Sequence, residues 1–280
     1  MKNYLKSMLA VVAVAAAPFI VSGTPAQAQE TSSLQAIIDS GELKVGVMQA
    51  PPWFYKDPLG DEWTGVGASV GKAMAETLGV EFKPVEVTWA TSIAALQANK
   101  IDVQFVLDAT PVRALAIDFP SSPLLNYALA VLADEDIDAS SWEKMNREDM
   151  KISVAKGTTM EAYVKKHLPK AEILSFPGNA EALAAFQSGR VNAVCLFHPP
   201  LITMRKNIGR GQIAIPTPIR ASASSAGVRK EADKSFRDWV STTISYMYET
   251  GQTQGLYEDF LVSFDVDPAT VPAIRKDLWD

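Results

Sequence analysis

The sequence predicts an α/β fold of sheets flanked by helices, on three observations. Strand and helix signals alternate over residues 43–107, the same order recurs over 151–197, and the two runs align at an offset of 90 residues. Leu43-Lys-Val-Gly-Val47 reads as a short buried strand. Over 69–78, Val70, Ala73, Met74, Thr77 and Leu78 share one helical face, and Gly79 ends the helix. Residues 81–87 alternate as a second strand, 91–98 are helical, and 101–107 form a third strand with Val103, Phe105 and Leu107 alternating. Such a run implies a parallel sheet with right-handed crossovers. The second run has strands at 151–155, 172–176 and 191–197 and helices at 158–168 and 180–188. At the offset, Ala95-Leu-Gln-Ala-Asn-Lys-Ile-Asp-Val103 lies over Ala185-Phe-Gln-Ser-Gly-Arg-Val-Asn-Ala193. Each run places a polar residue, Asp102 or Asn192, after the first apolar strand position. Two explanations stand: two related α/β lobes, or a chance similarity of two helix–strand junctions. Near the end, Phe236, Trp239, Val240, Thr243, Ile244, Met247 and Tyr248 recur at i, i+3, i+4, the stripe of a core-packing helix. Gly251 breaks it, and a short helix follows at 256–260.

The 280 residues allow one large domain or two lobes. A hydrophobic share of 48% against 21% charged residues excludes a disordered chain. The 26 basic and 32 acidic residues leave a net charge of −6, which argues against nucleic acid, whose phosphates need a basic face. Cys195, the single cysteine, excludes an internal disulfide and a cysteine zinc cluster. His167 and His198 leave little for a histidine metal site, so neither metal nor cofactor is expected. Residues 1–28 read as a secretory signal: Lys2 and Lys6 in front, an apolar run from Met8 to Ala17, and Pro25-Ala26-Gln27-Ala28 as a small-x-small cleavage site. The run is too short to span a bilayer, and no cysteine near the site offers a lipid anchor. The mature product is expected to be an exported, soluble and more acidic chain.

Several junctions carry chemistry. Asp108-Ala-Thr110-Pro111-Val112-Arg113 follows a strand, with Thr110 as helix N-cap and Pro111 at the first helical position. Arg113 in that first turn suits a carboxylate, through charge-assisted hydrogen bonds of about 1.5–3 kcal/mol; the alternative is a capped surface helix whose Arg113 meets Asp118 or solvent. Lys156-Gly157-Thr158-Thr159-Met160-Glu161 stands at the equivalent junction of the second run, with Thr158 and Glu161 forming a capping box and Gly157 permitting close backbone approach. Both junctions lie outside the carboxyl ends of strands, where open α/β sheets bind ligands. Pro51-Pro52-Trp53-Phe54-Tyr55 is expected to run extended, with at least one ring facing a cleft or solvent, and Trp89 adds a fourth ring. Gly67-Ala68-Ser69-Val70-Gly71 spells a hydrolase elbow but lacks the preceding strand, so Ser69 reads as a helix N-cap. Asp134-Glu135-Asp136 and Arg205-Lys206 read as solvated loop charges.

In the order and spacing of these pieces the chain resembles the family 3 solute-binding proteins of ABC importers of polar amino acids. The resemblance runs from Gly41-Glu-Leu-Lys-Val-Gly-Val47 with Pro51-Pro52, through Ala95-Leu96, Lys100-Ile-Asp-Val103, Thr110-Pro-Val-Arg113, Ile117-Asp-Phe119 and Gly157-Thr-Thr159, to the helix ending near Gly251. It implies the two-lobed type II periplasmic-binding-protein fold, with lobe 1 at 29–128 and 223–280, lobe 2 at 129–222, and hinge crossings near 127–133 and 222–228. It implies that Arg113 holds a ligand carboxylate, that Trp89 packs on the ligand, and that Gly157, Thr158 and Thr159 offer hydrogen bonds. The implied setting is a periplasmic monomer that passes a small-molecule solute to an inner-membrane ABC permease. Four departures from the family stand out. Phe197, followed by His198, occupies the position of the usual amine-binding Asp. Ala50 replaces an aromatic, for which Trp53, Phe54 or Tyr55 substitutes. Gly67 and Ser69 replace an acidic pair. Asp108, where small polar residues are common, either takes over the amine or neutralises Arg113. An enzyme on the same scaffold, dehydratase-like and using His198, Asp108 or Glu161 as acid or base, is the rival reading; a sensory partner of a membrane receptor or dehydrogenase is a third.

Overall fold

Each of the two expected runs builds the same three-stranded parallel unit. The computed structural model describes residues 32–56 and 60–279. The signal expected at 1–28 lies outside the described residues, as do Asp57, Pro58 and Leu59. The elements begin with α1 (Ser33–Ser40), β1 (Glu42–Val47), β2 (Tyr55–Lys56), β3 (Trp63–Thr64), α2 (Val66–Leu78), β4 (Glu81–Glu86), α3 (Ser92–Gln97) and β5 (Val103–Asp108). The single-turn α4 (Pro111–Ala114), β6 (Ile117–Asp118), β7 (Leu125–Ala133) and α5 (Trp142–Met145) follow. The second run is β8 (Lys151–Ala155), α6 (Thr159–His167), β9 (Glu172–Phe176), α7 (Asn179–Gln187) and β10 (Ala193–Phe197). The chain closes with α8 (His198–Ile208), β11 (Gln212–Ala214), β12 (Ala221–Arg229), α9 (Ser235–Glu249) and α10 (Gln252–Ser263).

β1 lies between β4 and β5, parallel to both, and β8 lies likewise between β9 and β10. One antiparallel strand completes each unit, β12 against β5 and β7 against β10. β7 and β12 also pair with each other, Leu125 to Ala128 against Ser224 to Ala221. The order β4-β1-β5-β12-β7-β10-β8-β9 is therefore continuous, and β7 and β12 are the two crossings between lobes. β5 and β7 are buried at every position, as strands covered on both faces must be. The outer strands β4 and β9 are largely open and carry charge, with Pro84 tolerated at the β4 edge.

The aligned polar pair performs one task in both lobes. Asp102 Oδ2 accepts from Lys44 N and Asn192 Oδ1 from Lys151 N, each at 2.8 Å. The backbone answers in kind, Asp102 N to Lys44 O at 2.8 Å and Asn192 N to Lys151 O at 2.9 Å. Each residue thereby fastens the entry of the third strand to the first strand of its unit.

Four local expectations need correction. Helix α2 starts at Val66, so Ser69 is not its cap; Ser69 N donates to Gly65 O inside the helix. Its glycines make space: a Cβ on Gly67 would lie 2.4 Å from Phe54 Cζ, and one on Gly71 2.9 Å from Phe82 Cε2. Residues 51–53 turn rather than run extended, because Ala50 N donates to Phe54 O at 2.8 Å and Trp53 N to Ala50 O at 2.9 Å. The second C-terminal helix spans Gln252–Ser263, longer than expected. Arg205 and Lys206 are not loop charges but occupy the last turn of α8, where basic side chains complement exposed carbonyls. In α9, Phe236, Val240, Ile244 and Met247 are the buried positions of the stripe.

Candidate functional site

The site forms where the carboxyl ends of β5 and β10 and the start of α6 face one another. Val106 at the end of β5 has φ +58°, rare for a β-branched residue, and the β5–β12 register shifts at this point. This bulge turns Val106, Leu107 and Asp108 toward the cleft. Thr110 caps α4 as expected, its hydroxyl oxygen accepting from Arg113 N at 3.3 Å. The Arg113 guanidinium folds back, Nη1 donating to Asp108 O at 3.0 Å and Nη2 to Gly157 O in the other lobe at 3.1 Å. It does not meet Asp118, which pairs with Lys234. Burial lowers the Arg113 pKa, with the nearby Asp108 acting in the opposite sense.

Asp108 is the hub. Tyr127 on β7 donates to Oδ1 at 2.7 Å, and Thr159 donates to Oδ2 from across the cleft. Burial first, then the charge of Asp108, raises the Tyr127 pKa well above its ordinary value. Phe197 stacks on Tyr127 with centroids 3.6 Å apart, and Trp53 approaches the same ring at 5.9 Å. On the second lobe Thr158 accepts from Glu161 N at 3.2 Å, while Glu161 Oε2 accepts from Gly157 N at 2.7 Å, so the capping box reaches one residue further back than expected. Gly157, at φ +78°, meets the first lobe so closely that a Cβ there would lie 2.7 Å from Ala90 Cα.

Between these groups lies a cavity of about 30 Å³, room for a water or two. That volume is too small for a solute of amino-acid size. Of the residues proposed from sequence, Trp53, Trp89, Asp108, Arg113, Thr158, Thr159 and Phe197 line this cavity. Gly157 touches it through its carbonyl bond to Arg113. Thr110 faces a neighbouring cavity instead. Three proposed residues lie elsewhere. Phe54 is fully buried beneath Gly67, whose missing side chain leaves room for the ring. Tyr55 packs edge-on against Phe260 at 5.6 Å. His198 is 2% exposed and sits behind the site at the base of α8, where Nδ1 accepts from Ala128 N on β7 at 3.1 Å.

The structure adds Val106, Leu107, Tyr127, Met160, Asn179, Leu196 and Pro200 to the lining. Asn179 is 4% exposed, and its Oδ1 has no hydrogen-bond partner among the described residues. No sequence signal marks it beyond its place at a helix start. Among the described residues no group of three His, Cys, Asp or Glu side chains could hold a metal, and no helix is long and apolar enough to cross a membrane.

Known proteins are similar to this chain in sequence and in fold. The ABC transporter glutamine-binding protein GlnH of Bacillus subtilis (strain 168) is 26% identical over 261 residues, covering 84% of this chain and 95% of that protein. Cyclohexadienyl dehydratase of Pseudomonas aeruginosa is 23% identical over 190 residues, 67% of this chain and 70% of that one. Among solved structures, an ancestral amino acid-binding protein, a precursor of cyclohexadienyl dehydratase, is 31% identical with a TM-score of 0.74, covering 82% of this chain and 99% of that one. The cysteine-binding protein of Campylobacter jejuni is 25% identical with a TM-score of 0.77, covering 88% and 100%. The family of bacterial extracellular solute-binding proteins, family 3, matches residues 43–263. That match takes in both three-stranded units, both crossings and the cleft between them, and the chain belongs to this family.

Proposed function

We propose that the chain is the periplasmic solute-binding component of an amino-acid ABC importer, capturing a small zwitterion between its lobes for an inner-membrane permease. One observation carries the reading: the cavity lining holds one guanidinium, Arg113, and one carboxylate, Asp108, and is otherwise apolar, aromatic or neutral. A solute bearing one carboxylate and one ammonium neutralises both and leaves no charge over. Arg113 has five N–H donors, two of them spent on backbone carbonyls, so three remain for the carboxylate. Asp108 spends two acceptor sites on Tyr127 and Thr159 and keeps capacity for an ammonium. Thr158 and Asn179 supply neutral polar contacts, and Trp53, Trp89, Tyr127 and Phe197 suit an uncharged side chain.

The lobes are 29–128 with 223–280, and 129–222, and they close by bending at β7 and β12. The solute favours closure only through contacts absent from the open form. Micromolar affinity, about 8 kcal/mol, is within reach of these groups. Relatives named for glutamine and cysteine support an amino-acid solute. Binding is favoured over dehydratase-like catalysis because His198 lies outside the cavity, Glu161 is engaged by Gly157, Lys165 and Ser175, and Asp108, which does line the cavity, is held by Tyr127 and Thr159. The protein works as an exported monomer, cleaved near Ala28. Calorimetric titration of the mature chain with neutral L-amino acids, their amides and their deaminated acids tests this. A neutral amino acid is expected to bind at least about tenfold more tightly than either analogue, a difference of about 1.4 kcal/mol. A deaminated acid that binds as well as its parent removes the zwitterion.

A further inference from the structure

A second cavity of about 600 Å³ opens on the flank of the cleft, beside the one described above. Its walls come from both lobes: Thr110 at the start of α4, Thr159, Tyr163 and Lys166 along α6, and Arg220 just before β12. The chain as a whole is acidic, yet no Asp or Glu lines this cavity. Arg220 and Lys166 have no ion pair among the described residues. The Arg220 side chain makes no hydrogen bond among the described residues; its Nη1 is shut off from solvent, and the half-buried guanidinium keeps its other N–H groups for a solute.

The surroundings hold this donor in place. The Arg220 guanidinium lies over the Tyr163 ring at 5.1 Å, His167 stacks on that ring at 4.1 Å, and Trp142 meets it edge-on at 5.1 Å. Trp142 Nε1 donates to Pro218 O at 3.3 Å, tying the segment that carries Arg220 to the same aromatic stack. Thr110 spends its hydroxyl oxygen on Arg113 N, which leaves its hydroxyl hydrogen free to turn into the cavity. A fixed guanidinium, a mobile ammonium and a hydroxyl thus face one open space with no carboxylate among them.

We propose that this flank cavity is a second binding site, distinct from the zwitterion cleft, that takes a small oxyanion, carboxylate or phosphate, between Arg220 and Lys166. Arg220 supplies the oriented donors, Lys166 a second charge and Thr110 a hydroxyl. The anion accepts from the Arg220 N–H groups that remain open to solvent, which no described residue engages.

The test is thermal unfolding of the mature chain with inorganic phosphate, and separately acetate, at ionic strength held constant with sodium chloride. Either probe should raise Tm saturably, by about 3–6 °C at ten times its Kd. Arg220→Gln should remove more than half of the rise, whereas Arg113→Ala, which disables the cleft, should leave it intact. Lys166→Gln, at an exposed position, should weaken phosphate more than acetate, and it serves if the Arg220 variant does not fold. No rise in the wild type, or an equal rise in wild type and both flank variants, overturns the proposal. A rise lost in Arg113→Ala but kept in Arg220→Gln shows the anion in the cleft and overturns it too; failure of the zwitterion titrations leaves this result untouched.

Discussion

Acid should destabilise this protein through one buried imidazole. His198 Nδ1 accepts from the amide of Ala128, so the neutral ring carries its hydrogen on Nε2, which is buried with no hydrogen-bond partner among the described residues. Protonation would set an N–H against the Ala128 N–H in a dry site. Burial accordingly lowers the His198 pKa to about 4, against an ordinary value near 6.5. Between those values the unfolded chain binds a proton that the native chain refuses, so stability falls as pH falls through this window and is regained above it. Each pH unit is worth at most about 1.4 kcal/mol, which gives about 2 kcal/mol between pH 7 and pH 5 and about 3 kcal/mol in full. Urea unfolding of wild type and His198→Asn at pH 7 and pH 5 measures it. Asn keeps an acceptor for Ala128 N but does not titrate, and the exposed His167 is common to both proteins. The variant should lose about 2 kcal/mol less than wild type over this interval. Identical pH dependence in the two proteins refutes the reasoning.

Two further perturbations probe the contacts between lobes and around the hub. Gly157→Ala adds a Cβ that meets Ala90 only when the lobes touch, at a φ of +78° that costs a non-glycine residue about 1–2 kcal/mol. Calorimetry should show solute affinity reduced at least about tenfold, roughly 1.4 kcal/mol; unchanged affinity means the lobes do not close this way. Tyr127→Phe deprives the buried Asp108 of its 2.7 Å donor and should lower unfolding stability by about 1–3 kcal/mol in urea. An unaltered urea midpoint would mean the hydroxyl contributes nothing.

The fold was legible because its signals are local and occur twice. The two strand–helix–strand–helix–strand runs, with Asp102 and Asn192 at matching junctions, rest on periodicity and on a polar group that satisfies a neighbouring strand. The crossings, and Thr159 as a hydrogen-bonding residue, are expected from the family resemblance, whereas Arg113 stands out already at its strand–helix junction. What sequence missed depends on tertiary contacts. The turn at 51–53 is held by Val66 N and Gly67 N, which donate to Pro52 O and Trp53 O, and the same bonds let α2 start before Ser69. Phe54 lies inward because Gly67 leaves space for it, a pairing no local pattern announces. Tyr127 lies in a crossing strand and Asn179 at a helix start, and nothing in their sequence neighbours announces that both line the cleft. Val106 entered the lining through a bulge whose left-handed φ no β-branched residue advertises. His198, adjacent to Phe197 in sequence, falls behind the site because the first turn of α8 rotates it toward β7.

The most direct measurement is a thermodynamic cycle at Arg113: calorimetric affinities of wild type and Arg113→Ala for one neutral amino acid and for its amide. The account predicts that wild type strongly prefers the carboxylate. It also predicts that Arg113→Ala loses on the order of 100-fold for the acid, about 2.8 kcal/mol, and much less for the amide. If the variant kept the wild-type preference for the acid, the carboxylate would be held elsewhere and the account would be wrong.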